Sequence, residues 1–175
     1  MKFHSRILLA AAALAIGGGA AALAAAPGNP QAVKEVGGLW FAKDGTPTYN
    51  ISKDGTVDWG TFSGYLRYNS ICLDCHGPDG AGSSYAPDLT QALKQIDYAQ
   101  FIADVAGGIK SVNTAQDLVM PAFATNKNVM CFINEIYSYL RARSTGVLGR
   151  GRPAKSAPDP KGFDEASYKC LGIPM

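Results

Sequence analysis

Histidine is nearly missing from this 175-residue chain, which holds only His4 and His76. A zinc site asks for four ligands, and beyond the motif described below only His4, Cys131 and Cys170 are on offer. Long apolar runs are missing as well. One lies at the N-terminus, and no other segment is long and apolar enough to span a bilayer. Neither sign of charge dominates, with 16 Lys and Arg against 14 Asp and Glu. No basic stripe interleaved with aromatic residues occurs, which argues against a nucleic-acid partner.

The N-terminal run has the layout of a secretory signal. "MKFHSR" gives a short basic start, Ile7 to Ile16 an apolar core, and Ala22-Leu23-Ala24 a small-residue cleavage site. Residues 1–24 are therefore expected to be a signal peptide, with an uncleaved anchor as the competing reading. Gly17-Gly18-Gly19 breaks the run and speaks against the anchor. Export would place the mature chain in the periplasm, where disulfides persist. Taking away Lys2 and Arg6 leaves 14 basic residues against 14 acidic ones. Residues 25–140 are acidic on balance and residues 141–175 basic, through Arg141, Arg143, Arg150, Arg152 and Lys155 among others. Such a tail suits docking to an acidic partner.

Length bounds the rest to one domain with appendages. Residues 25–57 read as an N-terminal extension. Lys-Asp-Gly-Thr occurs at 43–46 and again at 53–56, Asp-Gly is a hairpin turn signal, and Tyr49 to Ile51 between the copies reads as a short strand. The acidic turns at Asp44, Asp54 and Asp58 lack the alternating oxygen ligands of a calcium loop. Trp59 to Cys72 reads as a helix that carries Gly64, Tyr68 and Cys72 on one face. Asp97 to Ala106 reads as a short helix capped by Asp97 and stopped at Gly107. The last helix is expected from about Asn128 to Arg143, capped by Asn126 or Asn128, with Ile133, Ile136, Tyr137 and Leu140 on its buried face. Residues 58–143 thus form the core, and 144–175 an extended tail rich in Gly, Pro and charge.

"CLDCH", Cys72 to His76, carries the chemistry. It matches C-x-x-C-H, the pattern of c-type haem attachment. Two thiols three positions apart can each add to one vinyl group on the same porphyrin edge, and the adjacent histidine presents a neutral nitrogen to the iron. A thioredoxin-like dithiol would need a surrounding βαβ pattern, which is absent, and a plain disulfide would leave His76 without a reason.

Taken together, the helix, CxxCH, "GPDG", "APDL", the short helix, "MPAF" and a final helix with "YL" resemble a class I cytochrome c over Asp58 to Arg143. The resemblance implies an all-α fold with one covalently attached haem c. It also implies a close contact of Gly64 and Tyr68 with the final helix near Ile136, Tyr139 and Leu140, and a carbonyl of Pro87 holding the ring of His76, the alternative being a Pro87 that only shapes the loop. A narrower likeness lies in "DGTPTYNISKDGTVDW", "NKNVMCFI", "GRGRPAK" and a cysteine near the C-terminus. These resemble the four-cysteine c-type cytochromes of methanol metabolism, electron acceptors of periplasmic PQQ-dependent, lanthanide-type methanol dehydrogenases.

With His4 removed, a second histidine ligand within the chain is excluded, and Met120, Met130 and Met175 are the sulfur candidates. Pro121 pushes Met120 out of helical geometry into an extended conformation, from which a thioether can reach iron. Met130 sits three residues before Ile133 on the stripe of the final helix, where a methionine is more often packing. Met120 is the expected axial ligand opposite His76, as "MPAF" is in the resembling family, with Met130 or an open position as alternatives. Arg67, Trp59 and Tyr85 are candidate propionate donors. Cys131 shares a polar face with Asn134, Glu135 and Ser138 and is expected to point outward. Export favours its pairing with Cys170 over two free thiols.

A haem with two protein ligands suits electron transfer rather than turnover, so no enzyme activity is expected. The leading reading is a monomeric carrier between a periplasmic PQQ methanol dehydrogenase and a downstream cytochrome or oxidase. A general carrier between a bc1-type complex and an oxidase is the alternative, and an open-site peroxidase or gas sensor the more distant one.

Overall fold

The computed structural model describes residues 31–112 and 117–174. The expected signal peptide, His4 and Met175 lie outside the described residues. Among those described, helices predominate, but the fold is not all-α. Two small antiparallel sheets accompany seven helices.

Within the described part of the N-terminal extension, residues 32–48 form a three-stranded sheet. β1 (Ala32–Val36) pairs with β2 (Leu39–Ala42), and β2 with β3 (Pro47–Thr48). The Asp44-Gly45 turn joins β2 to β3, with Gly45 at φ +84° and the Asp44 carboxylate accepting from Thr46 N. The second Asp-Gly is folded the same way, Asp54 accepting from Thr56 N and Gly55 again at φ +84°. Tyr49 and Ile51 are not a strand. They are irregular and buried in the core, because the chain has by then left the sheet to pack under the helices.

Asp58 opens α1 (Trp59–Ile71), its carboxylate accepting from Thr61 N, and Cys72 is the C-cap. A one-turn helix α2 (Leu73–His76) and a 3-10 turn at Pro78–Gly80 follow. α3 is Leu89–Ala92, capped by Asp88. α4 spans Tyr98–Gly107, capped by Asp97 but ending at Gly108, one residue beyond the expected stop. β4 (Ile109–Val112) and β5 (Asp117–Met120) form a hairpin.

The last long helix is in two pieces, α5 (Lys127–Met130), capped by Asn126, and α6 (Ile133–Ser144). Cys131 and Phe132 sit at the break. α6 lies across α1 at Gly64, where a Cβ would run into the backbone carbonyl of Glu135. Only a glycine permits so close an approach. The same contact corrects the polar-face reading, since Glu135 and Ser138 are buried between helices rather than solvated. Asn134 is half-buried.

The tail is not simply extended either. Residues 155–157 run beside Val57, with Val57 N donating to Lys155 O and Ala157 N to Val57 O. α7 (Phe163–Leu171) closes the described chain. Its helix buries no residue, so apolar patterning gave no sign of it.

Candidate metal centre

α1 delivers the CxxCH motif. Its C-cap, Cys72, donates its N–H to Tyr68 O, and α2 continues from that residue to bring Leu73, Cys75 and His76 round one turn. The His76 ring is buried and its Nδ1 donates to the carbonyl oxygen of Pro87 at 3.1 Å. That bond fixes the tautomer and leaves Nε2 with a free lone pair. Burial holds the imidazole below its ordinary pKa, with the Pro87 carbonyl pulling the other way. The ring is therefore neutral at pH 7, the form that ligates a metal.

Backbone bonds secure the motif from behind. Gly82 N donates to His76 O at 2.8 Å, Gly77 N to Leu73 O at 2.8 Å, and the Ser83 hydroxyl donates to Cys75 O. Gly77, at φ +70°, lies against the Gly82 backbone with no space for a side chain. Asp79, in the left-handed region at φ +62°, is a residue the sequence reading missed. Its buried carboxylate takes Gly151 N at 2.8 Å and Arg150 Nε at 3.2 Å, and its carbonyl takes Arg143 Nε at 3.3 Å. The basic tail is thereby fastened to the loop after the motif.

The four cysteines divide into two kinds. Cys131 and Cys170 are bonded, with S–S 2.02 Å and Cα–Cα 5.9 Å, while Cys72 and Cys75 are both free thiols. Cys72 is half-buried, and burial, reinforced by Cys75, pushes its thiol up to about 11. Cys75 is exposed. Thiols three apart that do not pair with each other, beside a neutral oriented imidazole, fit covalent attachment of a haem and ligation of its iron.

Met120 ends β5, in extended conformation, and packs half-buried against the same core that Cys72 and Leu73 touch. Its backbone is paired with Ile109. Met130 ends α5 and also packs against that core. The propionate candidates are scattered. Arg67 lies flat over the Phe132 ring at 3.6 Å, and Tyr85 is 72% exposed on the loop after the motif. Trp59 stands at the opposite end of α1 from Cys72, roughly 20 Å away by helical rise. It is wedged there between Phe62 and Phe163, its buried Nε1 having no hydrogen-bond partner among the described residues.

Three carboxylates of the acidic turns are engaged by hydrogen bonds, Asp44 to Thr46, Asp54 to Thr56, and Asp58 to Asn50 N and Thr61. Among the described residues no group of three or more His, Cys, Asp or Glu side chains is placed to hold a metal ion. No helix among them is long and apolar enough to cross a membrane.

No protein-family model matches the chain. It is 51% identical over 134 residues to cytochrome c-553I of Paracoccus denitrificans, an alignment covering 77% of this chain and 59% of that protein. The chain thus spans about three-fifths of the length of that relative. It is 34% identical over 100 residues to cytochrome c-555 of Methylococcus capsulatus, covering 57% of this chain and 75% of that one. Among solved structures, the c-type cytochrome XoxG from Methylobacterium extorquens AM1 matches with a TM-score of 0.72 and 49% identity, over 80% of this chain and 86% of that chain.

Proposed function

The chain belongs to the class I c-type cytochromes, electron-transfer proteins with covalently attached haem c, and from this we propose that it is a periplasmic single-haem carrier that accepts electrons from a PQQ-dependent methanol dehydrogenase. The observation that carries the site is the arrangement at His76. Its Nδ1 is engaged by Pro87 O, its ring is kept neutral by burial, and the two neighbouring thiols are unpaired while the other two cysteines are bonded to each other. On this reading Cys72 and Cys75 would hold the haem covalently, His76 Nε2 and the Met120 sulfur would ligate its iron, and Met130 would serve as packing.

When bound, the haem supplies one-electron chemistry between ferric and ferrous iron. The chain supplies the rest. The Pro87 carbonyl keeps the imidazole oriented, the β4–β5 hairpin presents Met120, and the α1–α6 pair supplies the apolar wall. A thioether as the second ligand would raise the potential, and with two protein ligands no position would be left for oxygen. The dehydrogenase partner is supported by the narrower sequence likeness and by the similarity to XoxG. From this cytochrome electrons would pass to a downstream cytochrome or oxidase.

The test is anaerobic mixing of the oxidised holoprotein with purified PQQ methanol dehydrogenase and methanol at physiological salt. Haem reduction that saturates with cytochrome concentration is expected, and absence of reduction removes the partner assignment. In parallel, the spectrum of Met120→Ala should lose the far-red sulfur-to-iron band of the ferric protein, and an unchanged spectrum rejects Met120 as ligand.

A further inference from the structure

The Met120 segment is seated on the end of α4, and the seat has room for hydrogen only. Gly108 is the C-cap of that helix, at φ +72° and ψ 170°. A Cβ at this position would stand 2.6 Å from Met120 O, 2.8 Å from Ala122 N and 3.0 Å from Pro121 C. Ordinary contact begins at 3.4 Å, so the worst overlap is 0.8 Å. All three neighbours are backbone atoms, so no side chain can swing aside to relieve it.

The same helix end grips the segment on both sides of the methionine. Ile109, next to Gly108, is the strand partner of Met120. Beyond Met120, Phe123 N donates to Val105 O at 3.0 Å and Ala124 N to Ala106 O at 3.2 Å. α4 is itself fixed to α6, with the Phe101 and Tyr137 rings 5.0 Å apart and the Tyr98 hydroxyl bonded to Asn134. The position of the Met120 backbone is therefore set by the last turn of α4.

We propose that Gly108 is a positioning residue for the sulfur ligand, its missing side chain letting the Met120–Ala122 backbone lie at the distance from which the Met120 thioether reaches the iron. This rests on Met120 being that ligand. A side chain at 108 drives the segment outward. The unbranched methionine absorbs part of the movement through its torsions, so the bond is weakened rather than deleted.

Two other glycines provide controls. Gly107 is in the helix with nothing within 4 Å of a Cβ, and Gly146 has φ +77° with the same open space. Gly146→Ala thus puts a side chain on a positive-φ backbone, as Gly108→Ala does, without the collision. The experiment compares holoprotein Gly108→Ala, Gly107→Ala, Gly146→Ala and Met120→Ala by the ferric far-red band, carbon monoxide binding to the ferrous form at neutral pH, and the urea midpoint.

Gly108→Ala is expected to lose at least half of the band and to bind carbon monoxide at least tenfold faster than wild type. Gly107→Ala and Gly146→Ala keep the wild-type band and exclude the gas, even where Gly146→Ala lowers the urea midpoint as far. A wild-type band and gas exclusion in Gly108→Ala overturn the positioning role, as does an equal disturbance in Gly146→Ala. If Met120→Ala leaves the band intact, the ligand assignment fails and this inference with it. If Met120→Ala abolishes the band and Gly108→Ala spares it, only the inference fails. Should Gly108→Ala yield no holoprotein, Ala124→Pro removes the N–H bonded to Ala106, restrains the backbone at Phe123 and so loosens the same seat. It is then expected to weaken the band, and an unaltered band overturns the proposal.

Discussion

The Tyr68 hydroxyl donates to the carbonyl oxygen of Gly77 at 2.5 Å, tying α1 to the residue directly after His76. Tyr68 is fully buried, its ring 5.4 Å from that of Tyr139 on α6, and burial raises its phenol pKa. The bond thus joins the helix pair to the turn that carries the histidine. Tyr68→Phe would leave Gly77 O with only the long 3.4 Å contact from Gly80 N. A loss of about 1–2 kcal/mol is expected in urea unfolding of the holoprotein. The visible spectrum should persist, since the bond between His76 and Pro87 is untouched. A collapsed spectrum would mean that Tyr68 orients the histidine and does not merely brace it.

The Cys131–Cys170 bond closes a loop with a sequence separation of 39. Near it, Lys127 Nζ donates to Leu171 O at 3.2 Å. With no buried residue of its own, α7 depends on this bond and on the contact between the Phe163 and Trp59 rings. The chain-entropy model puts the stabilisation at about 4 kcal/mol. Replacing both cysteines by serine should lower stability by up to that amount and speed amide exchange in α7, with the haem spectrum unchanged. Intact mass of the wild type should rise by two hydrogens on reduction, and no rise would exclude the bond in the mature protein.

Why some of this was legible in the sequence and some was not follows from where each signal resides. The caps at Asp97 and Asn126, the twin Asp-Gly turns and the helix ending in Cys72 are specified by side chains within a turn of their effect. CxxCH is likewise local, so its residues could be named outright. Polarity alone puts Glu135 and Ser138 on an outward face with Cys131, whereas their burial follows from a backbone contact at Gly64, on a helix some seventy residues earlier. β1 needs its partner β2 to be a strand, and α7 is held by a covalent bond rather than an apolar face. Gly108 looked like the residue after a helix stop. Its importance depends on which backbone returns against it twelve residues later.

Asp79 receives Arg150 Nε and Gly151 N on its carboxylate, one bond from each side of the tail's return. Arg150 is largely exposed, so its charge is screened and contributes little, while the bond from Gly151 is shielded by the burial of Asp79. Asp79→Asn keeps a side chain that tolerates φ +62° and one acceptor oxygen, and should cost under about 1 kcal/mol. Asp79→Ala loses both bonds and the tolerance of that backbone, so about 2–3 kcal/mol is expected. Arg150→Ala should be close to neutral. Chemical denaturation of the three holoproteins orders them, and an Arg150→Ala loss equal to that of Asp79→Ala would show that the ion pair is what holds the tail.

Glu135 is buried at 4% exposure beside the α1 crossing, and its carboxyl is pushed up to about 7, by desolvation above all. Its own backbone N–H and Arg67 on α1 oppose that shift, while from α4 the Tyr98 phenol faces it and is itself raised to about 12. The folded protein therefore keeps a proton on Glu135 over a range where the unfolded chain has lost it. Stability from this group is complete below about pH 4.5, the ordinary value, and is lost as pH rises through about 7. The total is up to about 3 kcal/mol. Glu135→Gln has no proton to lose, so the wild type should weaken relative to it between pH 4.5 and 7 and run parallel above. Urea midpoints of both holoproteins from pH 4 to 8 provide the measurement. A constant difference across that range would mean that Glu135 is already ionised in the folded state, held so by Arg67.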